Sequence, residues 1–125
     1  MLDEKRIKEA ESNIKGYLQE GLIKKYEFYR QDILETYKRN YQESLDLAQK
    51  IFDQKLSNLW AVVISYYSMY YISNAVLYKL GYKVSHKVSH KVTADALIVF
   101  VRTKLKRSLL EDFEKAEEEA LDIMG

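Results

Sequence analysis

Residues Leu56–Tyr78, LSNLWAVVISYYSMYYISNAVLY, carry no charged side chain, and the whole 125-residue chain contains no proline. A run of this length reads either as a helix enclosed by its neighbours or as a membrane span. Leu56, Leu59, Trp60, Val63, Ile64, Tyr67, Tyr70, Tyr71, Asn74, Ala75 and Tyr78 recur at the i, i+3, i+4 spacing of one helical face. The opposite side offers Ala61, Ser65, Ser68, Met69, Ile72 and Val76, so no face is charged. The pattern predicts the most buried helix of the molecule, with Trp60, Val63, Ile64, Tyr67 and Tyr71 nearly inaccessible and the other helices packed around it. Asn58, Asn74, four serines and five tyrosines within the run argue against a bilayer.

The flanking segments are amphipathic. Ile7, Ala10, Ile14, Tyr17 and Leu18 form a stripe over residues 3–20, with Asp3 as the N-cap and Gly21 as the stop. Residues 24–53 read as a long second helix through Ile33, Leu34, Tyr37, Tyr41, Leu45, Ala48, Ile51 and Phe52. Ser57 or Asn58 then caps the central helix. After Gly81, a loop over Tyr82–Ser85 leads to a fourth helix from about Ser89 to Lys106. Ser108-Leu109-Leu110-Glu111 is a capping box that opens a fifth. The expectation is one all-α domain spanning 1–125, an antiparallel up-and-down bundle of about five helices. The charged N-terminus is not a signal peptide, which points to a cytoplasmic protein. With no cysteine and two histidines, neither disulfides nor a thiolate or multi-histidine metal site is expected, and no cofactor motif is present.

The net charge of +1 conceals an uneven distribution. Residues 79–107 hold eight basic side chains against Asp95 alone, while residues 108–125 hold seven acidic side chains against Lys115. Such segments pair as neighbouring helices or offer an edge to anions. The tandem repeat KVSHKVSHKVT lies in the basic part. A helix N-terminus there would add its unpaired N–H groups to Lys83, Lys87 and Lys91 and to the hydroxyls of Ser85, Ser89 and Thr93. These six are the candidate ligand-binding residues. His86 and His90 are the candidate acid–base groups, with pKa values that nearby lysines would lower. The plainer alternative is that the repeat is a solvated stretch leading into a helix. Glu117-Glu118-Glu119 reads as a solvated stripe.

Ser65-Tyr66-Tyr67-Ser68-Met69-Tyr70 in a buried helix, the turn Lys79-Leu80-Gly81, and Ser89-His90-Lys91 opening the next helix together resemble the HEPN domain (higher eukaryotes and prokaryotes nucleotide-binding). The small prokaryotic and archaeal members are the nearest in pattern. The specific likeness covers about residues 59–101. It implies a helical bundle that forms a homodimer and binds a nucleotide or RNA, with a minimal nucleotidyltransferase as partner in toxin–antitoxin pairs. Relatives often continue into a further helical stretch. Members that cleave RNA without metal carry an arginine four to six residues before a histidine. Here lysine stands in its place: Lys79 ahead of His86 and Lys83 ahead of His90. Lysine lacks the bidentate fork that grips a phosphate. The resemblance therefore implies binding rather than catalysis, with a ribonuclease using His86 or His90, or a structural dimerisation module, as the alternatives.

Overall fold

The computed structural model describes residues 2–104 and 107–124, and the side chains of all of these except 107–110, 113 and 124. Helix α1 (Glu4–Glu20) opens where Asp3 accepts a 2.8 Å bond from the Arg6 N–H, and it closes at Gly21, whose φ of 73° suits a residue without a Cβ. The chain then forms β1 (Ile23–Lys25), not the expected start of a helix. Strand β1 pairs antiparallel with β2 (Tyr82–Val84), aligning Ile23 with Val84, Lys24 with Lys83 and Lys25 with Tyr82. Ile23 and Val84 are buried, so two short segments read as helix and loop are joined by a shared apolar contact. Tertiary pairing overrides local pattern here.

Residues 26–30 strap across the end of the next hairpin. Tyr26 stacks on Tyr78 at 4.4 Å between ring centroids and donates to the Tyr78 carbonyl, while the Tyr78 hydroxyl accepts from the Arg30 N–H. Helix α2 (Gln31–Asp53) therefore starts seven residues later than its periodicity suggests. It returns as α3 (Asn58–Lys79), capped by the Ser57 hydroxyl, which accepts from the Trp60 N–H at 3.1 Å. Tyr37 meets Tyr78 and the Ser68 hydroxyl donates to the Tyr41 carbonyl, so the two helices run antiparallel along their length.

Helix α3 is the hub, packing against α2, β2, α4 (Ser89–Ala96) and α5 (Arg107–Met124). Its expected burial holds in part. Val63 is buried and Ile64, Tyr67 and Tyr71 are half-buried, but Trp60 is 55% exposed. Leu56 just before α3, Leu59 and Trp60 in its first turn, and Phe52 near the end of α2 all stay exposed. The innermost large side chain of α3 is instead Tyr66, with no accessible surface.

The fourth helix starts at Ser89 as expected and changes pitch within its expected length. Leu97–Val101 is π-helical and Arg102–Lys104 a 3-10 turn, and the Arg102 side chain donates to the Ile98 carbonyl at 3.2 Å. All residues from Val92 to Ile98 are buried, a longer unbroken run than any in α3. Helix α5 begins at Arg107, one residue before the expected capping box; the side chain of Ser108 lies outside the described ones. The molecule is thus an all-α helical bundle of five helices with a two-stranded ribbon at one end. Among the described residues, no helix is long and apolar enough to cross a membrane.

Candidate functional site

The tandem repeat does not form one uniform element. Its first unit, Lys83 to His86, leaves β2 into a turn, and its second, Lys87 to His90, enters α4. The two histidines therefore occupy different environments. Val88 forms the junction with φ 44°, a left-handed backbone that a β-branched side chain resists, and it supplies no side-chain cap to α4.

His90 points inward. Its Nδ1 lies 2.5 Å from the Tyr66 hydroxyl, and its ring packs against Tyr66, Tyr67 and Tyr70. Burial lowers its pKa; the lysine repulsion expected from the repeat is not the cause. The Tyr66 hydroxyl is also 3.4 Å from Glu117 Oε2 on α5. Burial pushes Glu117 up to about 7, with the nearby carboxylates of Glu114 and Asp95 adding to the shift and Tyr66 and Arg6 opposing it. Burial likewise raises the Tyr66 pKa. Of the glutamate triplet read as solvated, Glu118 and Glu119 are exposed, while Glu117 is turned toward the interior.

A second polar cluster lies behind this one. Asp95 on α4 has no accessible surface. Its Oδ1 takes a 2.7 Å ion pair from Arg6, and its Oδ2 accepts from Asn13 at 3.1 Å and from Tyr17 at 3.0 Å. Arg6 also pairs with Glu114 at 3.2 Å. Burial, and then the bond to Asp95, raise the Tyr17 pKa. These groups join α1, α4 and α5 through charge, and every described buried side-chain polar atom has a partner. The signal for Asp95 was present in the sequence as the lone acid within an apolar, basic stretch. Glu117 had no such signal inside its triplet.

His86, by contrast, is exposed and opens onto a cleft of about 450 Å³ between α2, α3 and the β2–α4 turn. Tyr37, Tyr70 and Tyr71 give it aromatic walls; Thr36, Asn40, Lys83 and Ser85 give it polar ones. Lys83 donates to the Tyr37 hydroxyl at 2.8 Å and to the Val84 carbonyl at 3.2 Å. Asp32 also lines the cleft, its carboxylate held by Arg30 at 2.7 and 3.2 Å.

The six candidate ligand residues thus separate. Lys83 and Ser85 line the cleft. Lys87 and Lys91 are exposed and do not line it. Ser89 is half-buried near Tyr70, whose pKa it helps to hold down against burial. Thr93 is fully buried and accepts from Asn74 at 3.3 Å, so its hydroxyl serves the core and not a ligand. The α2 residues of the cleft carried no signal in the sequence, because their role depends on how α2 crosses the ribbon.

Among the described residues, no group of three or more His, Cys, Asp or Glu side chains could hold a metal ion. Comparison with known proteins finds no matching family model, and no curated protein or solved structure with significant similarity to the chain.

Proposed function

We propose that this chain is a nucleotide- or RNA-phosphate-binding module of the HEPN type, working in the cytoplasm. The supporting observation is the convergence of Lys83, Ser85 and His86 with Tyr37, Tyr70 and Tyr71 on one open cleft. Aromatic walls suit a base, which has a π-face whatever its identity, while an ammonium and hydroxyls suit phosphate oxygens. Asn40 and Thr36 add side chains that can bond a sugar or base edge. The test is calorimetry with AMP and short oligoribonucleotides. Binding is expected in the wild type and about tenfold weaker in both Lys83→Ala and Tyr71→Ala, a loss typical of one charge-assisted bond or one stacking contact. Absence of binding in the wild type would sink the reading.

A second reading, metal-independent RNA cleavage, is favoured only by His86, which is exposed at the cleft. His90 is already engaged by Tyr66, and no arginine precedes either histidine at the spacing that cleaving HEPN proteins use. Cleavage in the presence of chelator that is lost in His86→Ala would establish it; no cleavage is expected.

The module reading extends to a homodimer and to a nucleotidyltransferase partner. The exposed end formed by Phe52, Leu56, Leu59 and Trp60 supports contact with a second copy. The partner enzyme rests on the family resemblance alone, and co-purification tests it.

A further inference from the structure

Lys24 and Lys83 face each other directly across the β1–β2 ribbon. Like charges at opposed positions of an antiparallel pair repel. Among the described residues, neither lysine has a carboxylate partner. The Lys24 side chain folds back over Gly21, where a Cβ would come within 3.0 Å of its Cε and 3.7 Å of its ammonium. Gly21 thus leaves room for that cation to lie close to the backbone.

These features surround a second, smaller pocket of about 220 Å³, lined by Gly21, Lys24, Lys83, Val84, Ser85 and His86. It shares the wall from Lys83 to His86 with the aromatic cleft. Two of the three protons of the Lys83 ammonium are engaged by Tyr37 and Val84, which leaves one to donate. The Ser85 hydroxyl accepts from the Lys87 N–H at 3.3 Å, so its own proton is free to point outward.

We infer that the Lys24–Lys83 pair, with Ser85 and His86, is a phosphate subsite joined to the aromatic cleft. The ligand is then a nucleoside phosphate, free or at an RNA terminus. Its base lies against Tyr37, Tyr70 and Tyr71, and its phosphoryl group reaches past Lys83 to Lys24. An anion between the lysines turns their repulsion into two favourable contacts. The inference rests on the nucleotide reading of the cleft and adds a residue, Lys24, that this reading does not require.

The experiment is calorimetry on the full chain with adenosine, AMP, and matched oligoribonucleotides bearing a 5′-phosphate or a 5′-hydroxyl. Lys24→Ala is expected to weaken AMP about tenfold, as for loss of one charge-assisted contact, and to leave adenosine unchanged. Its salt dependence should flatten, and Lys24→Arg should restore most of the affinity. The melting temperature should stay level or rise, because the substitution removes a repulsion; a purely structural lysine would lower it. A preference for the 5′-phosphorylated strand over AMP assigns the site to RNA ends, and the reverse assigns it to free nucleotides.

Unchanged AMP affinity in Lys24→Ala would overturn the subsite and leave the cleft reading standing. Inorganic phosphate separates the opposite failure. Phosphate that perturbs the amide resonances of residues 21–24 and 83–86 in the wild type, but not in Lys24→Ala, supports the subsite even where adenosine does not bind. Neither phosphate perturbation nor AMP binding would overturn both.

Discussion

The Tyr66 hydroxyl and His90 Nδ1 stand 2.5 Å apart at the crossing of α3 and α4, and Glu117 of α5 reaches the same hydroxyl at 3.4 Å. A neutral His90 that accepts the phenolic hydrogen bond at Nδ1 carries its own hydrogen on Nε2. Three helices therefore meet at one shared oxygen. Tyr66→Phe removes that oxygen and leaves buried nitrogen and carboxylate atoms short of a partner. The expected cost is about 1–3 kcal/mol, read from urea denaturation at pH 7. A loss below the error of that measurement would mean that the contact contributes nothing.

Glu117 sets a pH dependence. Its pKa is about 7 in the fold and near the ordinary carboxylate value when unfolded, so between roughly pH 4.5 and 7 the folded state binds one more proton. Stability from this group is full below that window, declines as pH rises through it, and is absent above pH 7. Glu117→Gln keeps the neutral shape without the titration. It should therefore gain stability relative to wild type as pH rises from 5 to 8, by on the order of 1–3 kcal/mol. A constant difference across that range would show that Glu117 does not titrate there. His90 acts in the opposite sense: its lowered pKa favours the fold above about pH 6.5 and weakens it as pH falls through the lowered value.

Asp95 is the fully buried end of an ion pair, with Arg6 at 2.7 Å and bonds from Asn13 and Tyr17. Asp95→Ala leaves the Arg6 guanidinium without its closest counter-charge and orphans two donors. The expected loss is about 3–5 kcal/mol, which is large for a domain of this size. Arg6→Met with Asp95→Leu, which removes both charges, should recover part of it in chemical denaturation. Equal losses in the single and double variants would place the effect elsewhere.

Trp60 tests the dimer. With 55% of its surface accessible, Trp60→Ala should change monomer stability by less than about 1 kcal/mol. If the apolar end of the α2–α3 hairpin is the contact between copies, Trp60→Glu should shift the chain to monomer in sedimentation experiments that give a dimer for wild type. A wild-type monomer at high micromolar concentration would remove the homodimer, and a Trp60→Glu dimer would move the contact to another face.

Sequence alone determined that the chain is an all-α bundle of about five helices. Uninterrupted periodicity, the missing prolines, and the caps at Asp3 and Ser57 are local, and a local hydrogen bond or apolar stripe needs no distant partner to be read. Tertiary structure alone decided three things. Ile23–Lys25 became a strand because Tyr82–Val84, nearly sixty residues on, was there to pair with it. Trp60 became a surface residue because a stripe specifies which face is apolar and not how far the neighbouring layer extends over it. The repeat was divided, His86 to the cleft and His90 to the interior, because chemically identical units acquire different roles only when a fixed backbone turn at Val88 points them in different directions.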